Sequence, residues 1–161
     1  MISRIFRKLI VYVRIFYFKI KYKKHLKLNG KLTFRSGFNI LISKGANLEI
    51  GSHCFFNNYC AINCLKYISI GNDCIFGENV KIYDHNHVFN KEGLIRENGY
   101  NCSSIIIGNN CWIGSNVVIL KGVHIGNNCV LGAGTVVSQD IKDNSLVLAN
   151  RELFIEQIRK K

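Results

Sequence analysis

A chain of 161 residues is long enough for one domain with a real core and too short for two sizeable ones. Its apolar share of 48% excludes a disordered chain, and its formal net charge of +12 is concentrated in one segment. Residues 1–35 hold eleven of the twenty-two Lys and Arg, no acid precedes Glu49, and the remainder is close to neutral.

Residues 1–28 are predicted as a basic amphipathic helix. At roughly 100° per residue, Ile2, Ile5, Phe6, Leu9, Val13, Phe16, Tyr17 and Ile20 share one face. Arg4, Arg7, Lys8, Arg14 and Lys19 share the other. Its apolar runs are too short to span a bilayer, which needs about 20 residues. The pattern fits a helix lying in an anionic membrane surface. A helix packed on the rest of the protein, or on a neighbouring subunit, is the alternative. No nucleic-acid recognition fold accompanies the charge, so nucleic acid is not an expected partner. No cleavable secretory signal is read here, and the expected location is cytoplasmic, at most peripheral to the inner face of the membrane.

Residues 29–149 are predicted as an all-β solenoid with a six-residue period. Hexads open at Ile50, Phe56, Ile62, Ile70, Phe76, Ile82, Ile107, Ile113, Ile119, Ile125, Leu131 and Val137, and every first position is apolar. Gly fills the second position at Gly51, Gly71, Gly77, Gly108, Gly114, Gly126 and Gly132. The fifth is small at Cys54, Cys60, Cys74, Val80, Cys111, Val117, Val123, Cys129 and Thr135. Three hexads make one triangular coil of parallel strands, and coils must stack to bury their apolar residues. Gly, or Asn tolerating positive φ, is expected to make the corners.

The period also places the cysteines. Five of seven share the slot that Val and Thr also fill, so they read as small buried hydrophobes. Neither a disulfide framework nor a zinc set is expected, since no C-x-x-C pair occurs.

The repeat slips by two residues after Ile62 and breaks after the Ile82 hexad. Residues 88–106 are expected to leave the scaffold as a loop, the kind of place where sites are built. The loop begins after Tyr83-Asp84-His85-Asn86-His87, the one place with two close histidines. His87 at its root is the candidate general base, since a neutral imidazole suits proton abstraction near neutral pH. Asp84, His85 or a backbone carbonyl could fix its tautomer, and His85 itself is the competing base. His53 and His124 sit at turn positions and His25 in the basic stretch. Residues 150–161 are predicted as a short C-terminal helix capped by Asn150.

The stretch IGNDCIFGENVKIYDHNH, then a loop, then IIIGNNCWIGSNVVILKGVHIGNNCVLGAGTVVSQDI resembles hexapeptide-repeat O-acetyltransferases. It is similar to the maltose/galactoside group and closer still to the sugar acetyltransferases of capsule and O-antigen clusters. The resemblance runs from about Ile50 to Ile141. It implies a left-handed parallel β-helix and a homotrimer with active sites between adjacent prisms. The implied reaction takes acetyl from acetyl-CoA, without a metal, to a sugar hydroxyl. His87 falls at the family's general base, Asn57 at its acceptor asparagine, and Trp112 at the aromatic beside the pantetheine. Ser115 falls where a backbone N–H serves the thioester carbonyl. Ala133, Gly134 and Ser138 match the CoA-lining stretch.

The chain also departs from that family. LVLANRELF replaces the usual Gly-x-Pro segment and its basic residues, leaving Arg151 or Lys142 to meet the CoA phosphates. Leu65 stands where galactoside-type enzymes keep an acid near the acceptor. The basic helix replaces their N-terminal acceptor-binding domain, which points to a membrane-associated, lipid-linked or surface glycan as acceptor. Two other functions fit the fold, a non-catalytic scaffold and a zinc hydrase like the γ-class carbonic anhydrases. His85-x-His87 lacks the hydrase family's histidine spacing.

Overall fold

The computed structural model describes residues 2–149, with side chains placed for residue 6 and from residue 8 onward. The expected C-terminal helix, and Arg151 with it, lies outside the described residues.

Helix α1 (Ile2–Tyr22) is followed by a 3-10 turn at Lys23–His25. The helix therefore ends earlier than residue 28. Leu26 and Leu28 instead begin the first coil, where their spacing of two matches Leu48 and Ile50 on the strand beside them. Coil one holds β1 (Leu26–Leu28), β2 (Leu32–Phe34) and β3 (Asn39–Ile42). Coil two holds β4 (Asn47–Ile50), β5 (Cys54–Phe56) and β6 (Ala61–Cys64). Coil three holds β7 (Tyr67–Ile70), β8 (Ile75–Phe76) and β9 (Lys81–Tyr83). A hairpin of β10 (His85–His87) and β11 (Tyr100–Cys102) then projects from the stack. Coil four holds β12 (Ile105–Ile107), β13 (Trp112–Ile113) and β14 (Val118–Ile119). Coil five holds β15 (His124–Ile125), β16 (Val130–Leu131) and β17 (Val136–Val137), and β18 (Leu146–Val147) begins a sixth.

Equivalent strands pair in parallel and form three sheets. The first runs β1-β4-β7-β12-β15, the second β2-β5-β8-β13-β16-β18, the third β3-β6-β9-β14-β17. The first edge of the prism joins the first and second faces, the second edge joins the second and third, and the third edge returns to the first. All twelve first positions of the hexads point inward and are buried. A fully buried side chain of this size contributes about 1.5–3 kcal/mol, so the column of stacked Ile, Leu and Phe is the core. Phe38, Phe56 and Phe76 stack along the prism axis at 4.7 and 4.2 Å between ring centroids.

Close approach between coils, and not backbone conformation, requires most corner glycines. A Cβ on Gly71 would stand 2.6 Å from the carbonyl of Gly108, and one on Gly108 would stand 2.7 Å from that of Gly126. The positive φ falls two residues later, at Asp73 (59°), Asn110 (53°) and Asn128 (55°). Asn and Asp tolerate that region best among residues with side chains.

The buried slot thiols do more than fill space. The Cys54 thiol donates to the Gly71 carbonyl at 3.1 Å, Cys60 to Gly77 at 3.0 Å and Cys74 to Gly108 at 3.2 Å. Each ties one coil to the next at a corner. All seven cysteines are free.

Helix α1 closes the open end of coil one. Phe18, 3% exposed, meets the rings of Phe34 and Phe38 and ends the aromatic column. The Tyr22 hydroxyl donates to the Ile40 carbonyl at 2.7 Å. Val11 and Ile15 pack on the same core, and the Arg14 guanidinium donates to the Phe38 carbonyl. Among the described residues no helix is long and apolar enough to cross a membrane.

Candidate active site

The third edge is where the repeat is interrupted. The chain leaves the prism at Asp84, not residue 88, because Ile82 is the last apolar inward residue before the break. It rejoins at Ile105, which is already buried. Asp84 is completely buried and its carboxylate accepts three consecutive backbone N–H groups, from Leu65 (2.8 Å), Lys66 (2.7 Å) and Tyr67 (3.0 Å). These residues form the turn where the register slips after Ile62. One carboxylate thus secures both irregularities of the repeat.

The same carboxylate faces His85, whose Nδ1 lies 3.2 Å from Asp84 Oδ1. His85 is packed edge-on between Tyr83 and Tyr100. His87 shares its face of β10, because residues two apart on a strand point the same way. It is exposed, and its ring lies 4.6 Å from that of Tyr100, its cross-strand partner. The structure gives Asp84 to His85 and leaves His87 to Tyr100.

The second edge carries another group. Asn57, Ser115, Ala133 and Gly134 follow one another up this edge on coils two, four and five. At the first edge four successive corner N–H groups are met by a side chain of the next coil. Ser52 donates to Asn72 (2.8 Å), Asn72 to Asn109 (2.8 Å), Asn109 to Asn127 (2.9 Å) and Asn127 to Asp143 (2.8 Å). At the second edge the Glu78 N–H donates to Ser115 Oγ at 3.1 Å, and there the series stops. Ala133 follows, and it has no side-chain acceptor. Among the described residues no hydrogen bond takes up the Ser115 N–H.

The expected site residues therefore occupy separate parts of one prism. Asp84, His85, His87 and Ser138 belong to the third edge, while Asn57, Ser115, Ala133 and Gly134 belong to the second. Trp112 stands outward on the second face, 57% exposed. Ser138 lines a groove of about 600 Å³ with Lys142 at the C-terminal end of the stack.

Two aromatic residues escape a reading by hexads. Tyr100 pairs with His87 only through the hairpin, which no period announces. Tyr59 has φ of +62° in a slot where the second edge elsewhere has Gly37, Asn79, Asn116 and Gly134. A bulky residue in that region costs about 1–2 kcal/mol, and Tyr59 stands exposed two residues from Asn57. The break in the Gly and Asn slot was the visible signal.

The profile described as "Bacterial transferase hexapeptide (six repeats)" matches residues 104–139. A maltose O-acetyltransferase of Clostridium difficile 630 superposes with a TM-score of 0.68 and 30% identity, covering 88% of this chain and 75% of that one. The chain belongs to the hexapeptide-repeat acetyltransferase family. Its fold is the left-handed parallel β-helix that the resemblance implied. VCA0836 of Vibrio cholerae, a hexapeptide-repeat acetyltransferase solved with acetyl coenzyme A, superposes with a TM-score of 0.67 and 26% identity over 86% of this chain and 74% of that one. The galactoside O-acetyltransferase of Escherichia coli K12 is 40% identical over 106 residues, 65% of this chain and 51% of that enzyme. The chain spans about half the length of the first curated relatives it matches.

Proposed function

We propose that the protein transfers an acetyl group from acetyl-CoA to a hydroxyl of a sugar, with His87 as general base. The observation that carries this reading is the hairpin that holds an exposed imidazole out from an otherwise closed prism. The galactoside and maltose O-acetyltransferases and VCA0836, each named an acetyltransferase, support it.

Acetyl-CoA supplies an activated acyl group when bound. His87 takes the proton of the acceptor hydroxyl as that oxygen attacks, and returns it to the departing thiol. The Ser115 N–H receives the negative charge that develops on the carbonyl oxygen, the task of an oxyanion donor. The second edge fits this role because its N–H is not spent on the next coil. Ala133 and Gly134 add a small-residue backbone strip for the pantetheine, and Trp112 a flat apolar wall. Asn57 and Tyr59 would meet the sugar, the latter with an aromatic face. The CoA phosphates fall to Lys142, Arg151 or both.

The base and the oxyanion donor lie on different edges of one chain, so they meet only if the third edge of one prism faces the second edge of another. Such a heterologous contact closes into a ring, and a triangular cross-section suits a ring of three. We therefore read the active form as a homotrimer with shared sites. The acceptor is a surface or lipid-linked glycan, with the enzyme peripheral to the cytoplasmic face of the membrane. The Leu65 position carries no acid to hold a small free sugar, and the Asp84 carboxylate that accepts its N–H is buried.

A second reading makes His85 the base, favoured by its contact with the Asp84 carboxylate. His85 is far less exposed, with 16% of its side chain open, and so reaches a hydroxyl less readily. Acetyl-CoA turnover with a panel of sugar acceptors tests both readings. Loss in His87→Ala with activity retained in His85→Ala supports the first, and the reverse supports the second. Turnover unchanged in both variants would remove the hydroxyl-transfer reading.

A further inference from the structure

Helix α1 has two apolar faces, and the prism uses only one of them. Val11, Ile15, Phe18 and Tyr22 turn toward coil one. Roughly opposite on the helix, Phe6, Leu9, Val13, Phe16, Tyr17 and Ile20 are each more than half exposed. Phe18 ends the axial column of stacked rings, so this second face points away from the prism along its axis. Six large apolar side chains in one contiguous stripe form a patch of the kind that marks an interaction site.

The charge around the stripe selects what can cover it. Lys8 and Lys19 flank it on α1, and Lys31 and Arg35 rise from coil one beside them. The four cations, with Tyr12 and Phe55, line a groove of about 540 Å³ between the helix and β2. Among the described residues no carboxylate pairs with any of the four. A second copy placed on the stripe would bring two such sets of cations together with no acid before Glu49 to offset them.

We propose that this outward face of α1 docks on an anionic phospholipid bilayer, its apolar stripe in the acyl boundary and the groove cations against lipid phosphates. An amphipathic helix with basic flanks binds an interface in this way. The prism then stands end-on upon the membrane. Coils rise by about 4.8 Å each, so the hairpin leaving coil three stands about 10 Å above coil one. The helix adds about 10 Å more. A glycan carried on a lipid headgroup spans that height, while an acyl chain buried in the bilayer does not come within reach. The docking rests on α1 alone; only this consequence for the acceptor rests on the acetyl-transfer reading.

The test is sedimentation of the full chain with phosphatidylglycerol-containing vesicles and with pure phosphatidylcholine vesicles. Binding to the first, weak binding to the second, and loss of binding at high salt are expected. Val13→Asp with Phe16→Asp should lower partition on anionic vesicles about tenfold or more. Lys8→Glu with Lys31→Glu should do the same on anionic vesicles only. Circular dichroism, melting temperature and turnover of a soluble sugar should not move, because none of these side chains lies in the core or the candidate site. Wild-type protein left in the supernatant, or variants that bind equally well, would overturn the proposal. So would a change of oligomeric mass in the aspartate variants, which would assign the stripe to protein contact. Vesicle binding without any acetyl transfer would leave the docking standing and remove the catalytic reading.

Discussion

The first and second edges of the prism are built from the same hexads, yet one closes on itself and the other does not. Along the first, Ser52, Asn72, Asn109, Asn127 and Asp143 pass backbone N–H groups to side-chain oxygens from coil to coil. A second series of Asn110, Asn128 and Asn144 links side chain to side chain beside it. At that edge the N–H groups from Ser52 to Asn127 are all spent on the next coil. Along the second edge the series stops at Ala133, and an N–H remains. On the second edge only the Glu78 N–H is met in this way, Asn58 turns to its own neighbour Asn57, and Ser115 faces Ala133, which offers no side-chain acceptor. We read the unspent Ser115 N–H as the step from a corner that stabilises to one proposed to do chemistry, and the asparagines of the first edge as serving the stacking.

The largest expected effect lies at the third edge, which the hairpin breaks open. His87→Ala should lower turnover by about 10²–10⁴ with little change in melting temperature, as expected for an exposed general base. Steady-state kinetics with acetyl-CoA checks it, and a variant within threefold of wild type removes His87 from the chemistry. Asp84→Ala sharpens the contrast within the same edge. It unseats three buried N–H groups, so stability should fall by about 3 kcal/mol, read by urea unfolding. Since Asp84 touches His85 and not His87, the surviving folded enzyme should keep most of its turnover.

Reversing the missing acceptor tests the comparison itself. Ala133→Asn should place a side-chain oxygen against the Ser115 N–H, as Asn127 does for Asn109 at 2.9 Å. Turnover should fall about 10²-fold, the usual cost of losing one oxyanion donor, while stability holds or rises. The opposite change at the closed edge, Asn127→Ala, should cost about 1 kcal/mol and leave turnover alone. Co-expressed His87→Ala and Ala133→Asn subunits should regain activity when they mix, because some shared sites then carry neither lesion. No recovery would place the whole site in one chain.

The stacked core was legible because a six-residue period leaves few alternatives: Ile50, Phe56 and the ten later first positions need only be counted. The first coil was less so. Leu32, Phe34 and Phe38 carry no Gly signature, and their place depends on pairing with coil two and on the plug of Phe18. His87 could be singled out beside a break, with Asp84 and His85, but the contacts these residues make could not. Tyr100 reaches it across a hairpin, and Asp84 turns back to residues seventeen to nineteen positions earlier. Such contacts are set by tertiary register, which local spacing does not encode. The helix had two faces where a single wheel shows one dominant stripe. Phe18 and Tyr22, the residues that fix it to the prism, look subordinate to the stripe left exposed.

The smallest expected effect concerns a cysteine outside the hexad slot. Burial, and then the neighbouring Asp84 carboxylate, push the Cys64 thiol up to about 12. An unfolded chain holds a thiol near 8.5, so folding favours the protonated form. The resulting stabilisation is complete below about pH 8.5 and drains away as the pH climbs toward 12. Cys64→Val removes the titrating group and keeps a small apolar side chain in the position. Its melting temperature should lie close to wild type at pH 7 and fall less steeply between pH 9 and 11. The Asp84 carboxylate is already satisfied by three backbone N–H groups, so the gap should be modest. Parallel curves for the two proteins would mean that neither burial nor the Asp84 carboxylate perturbs this thiol.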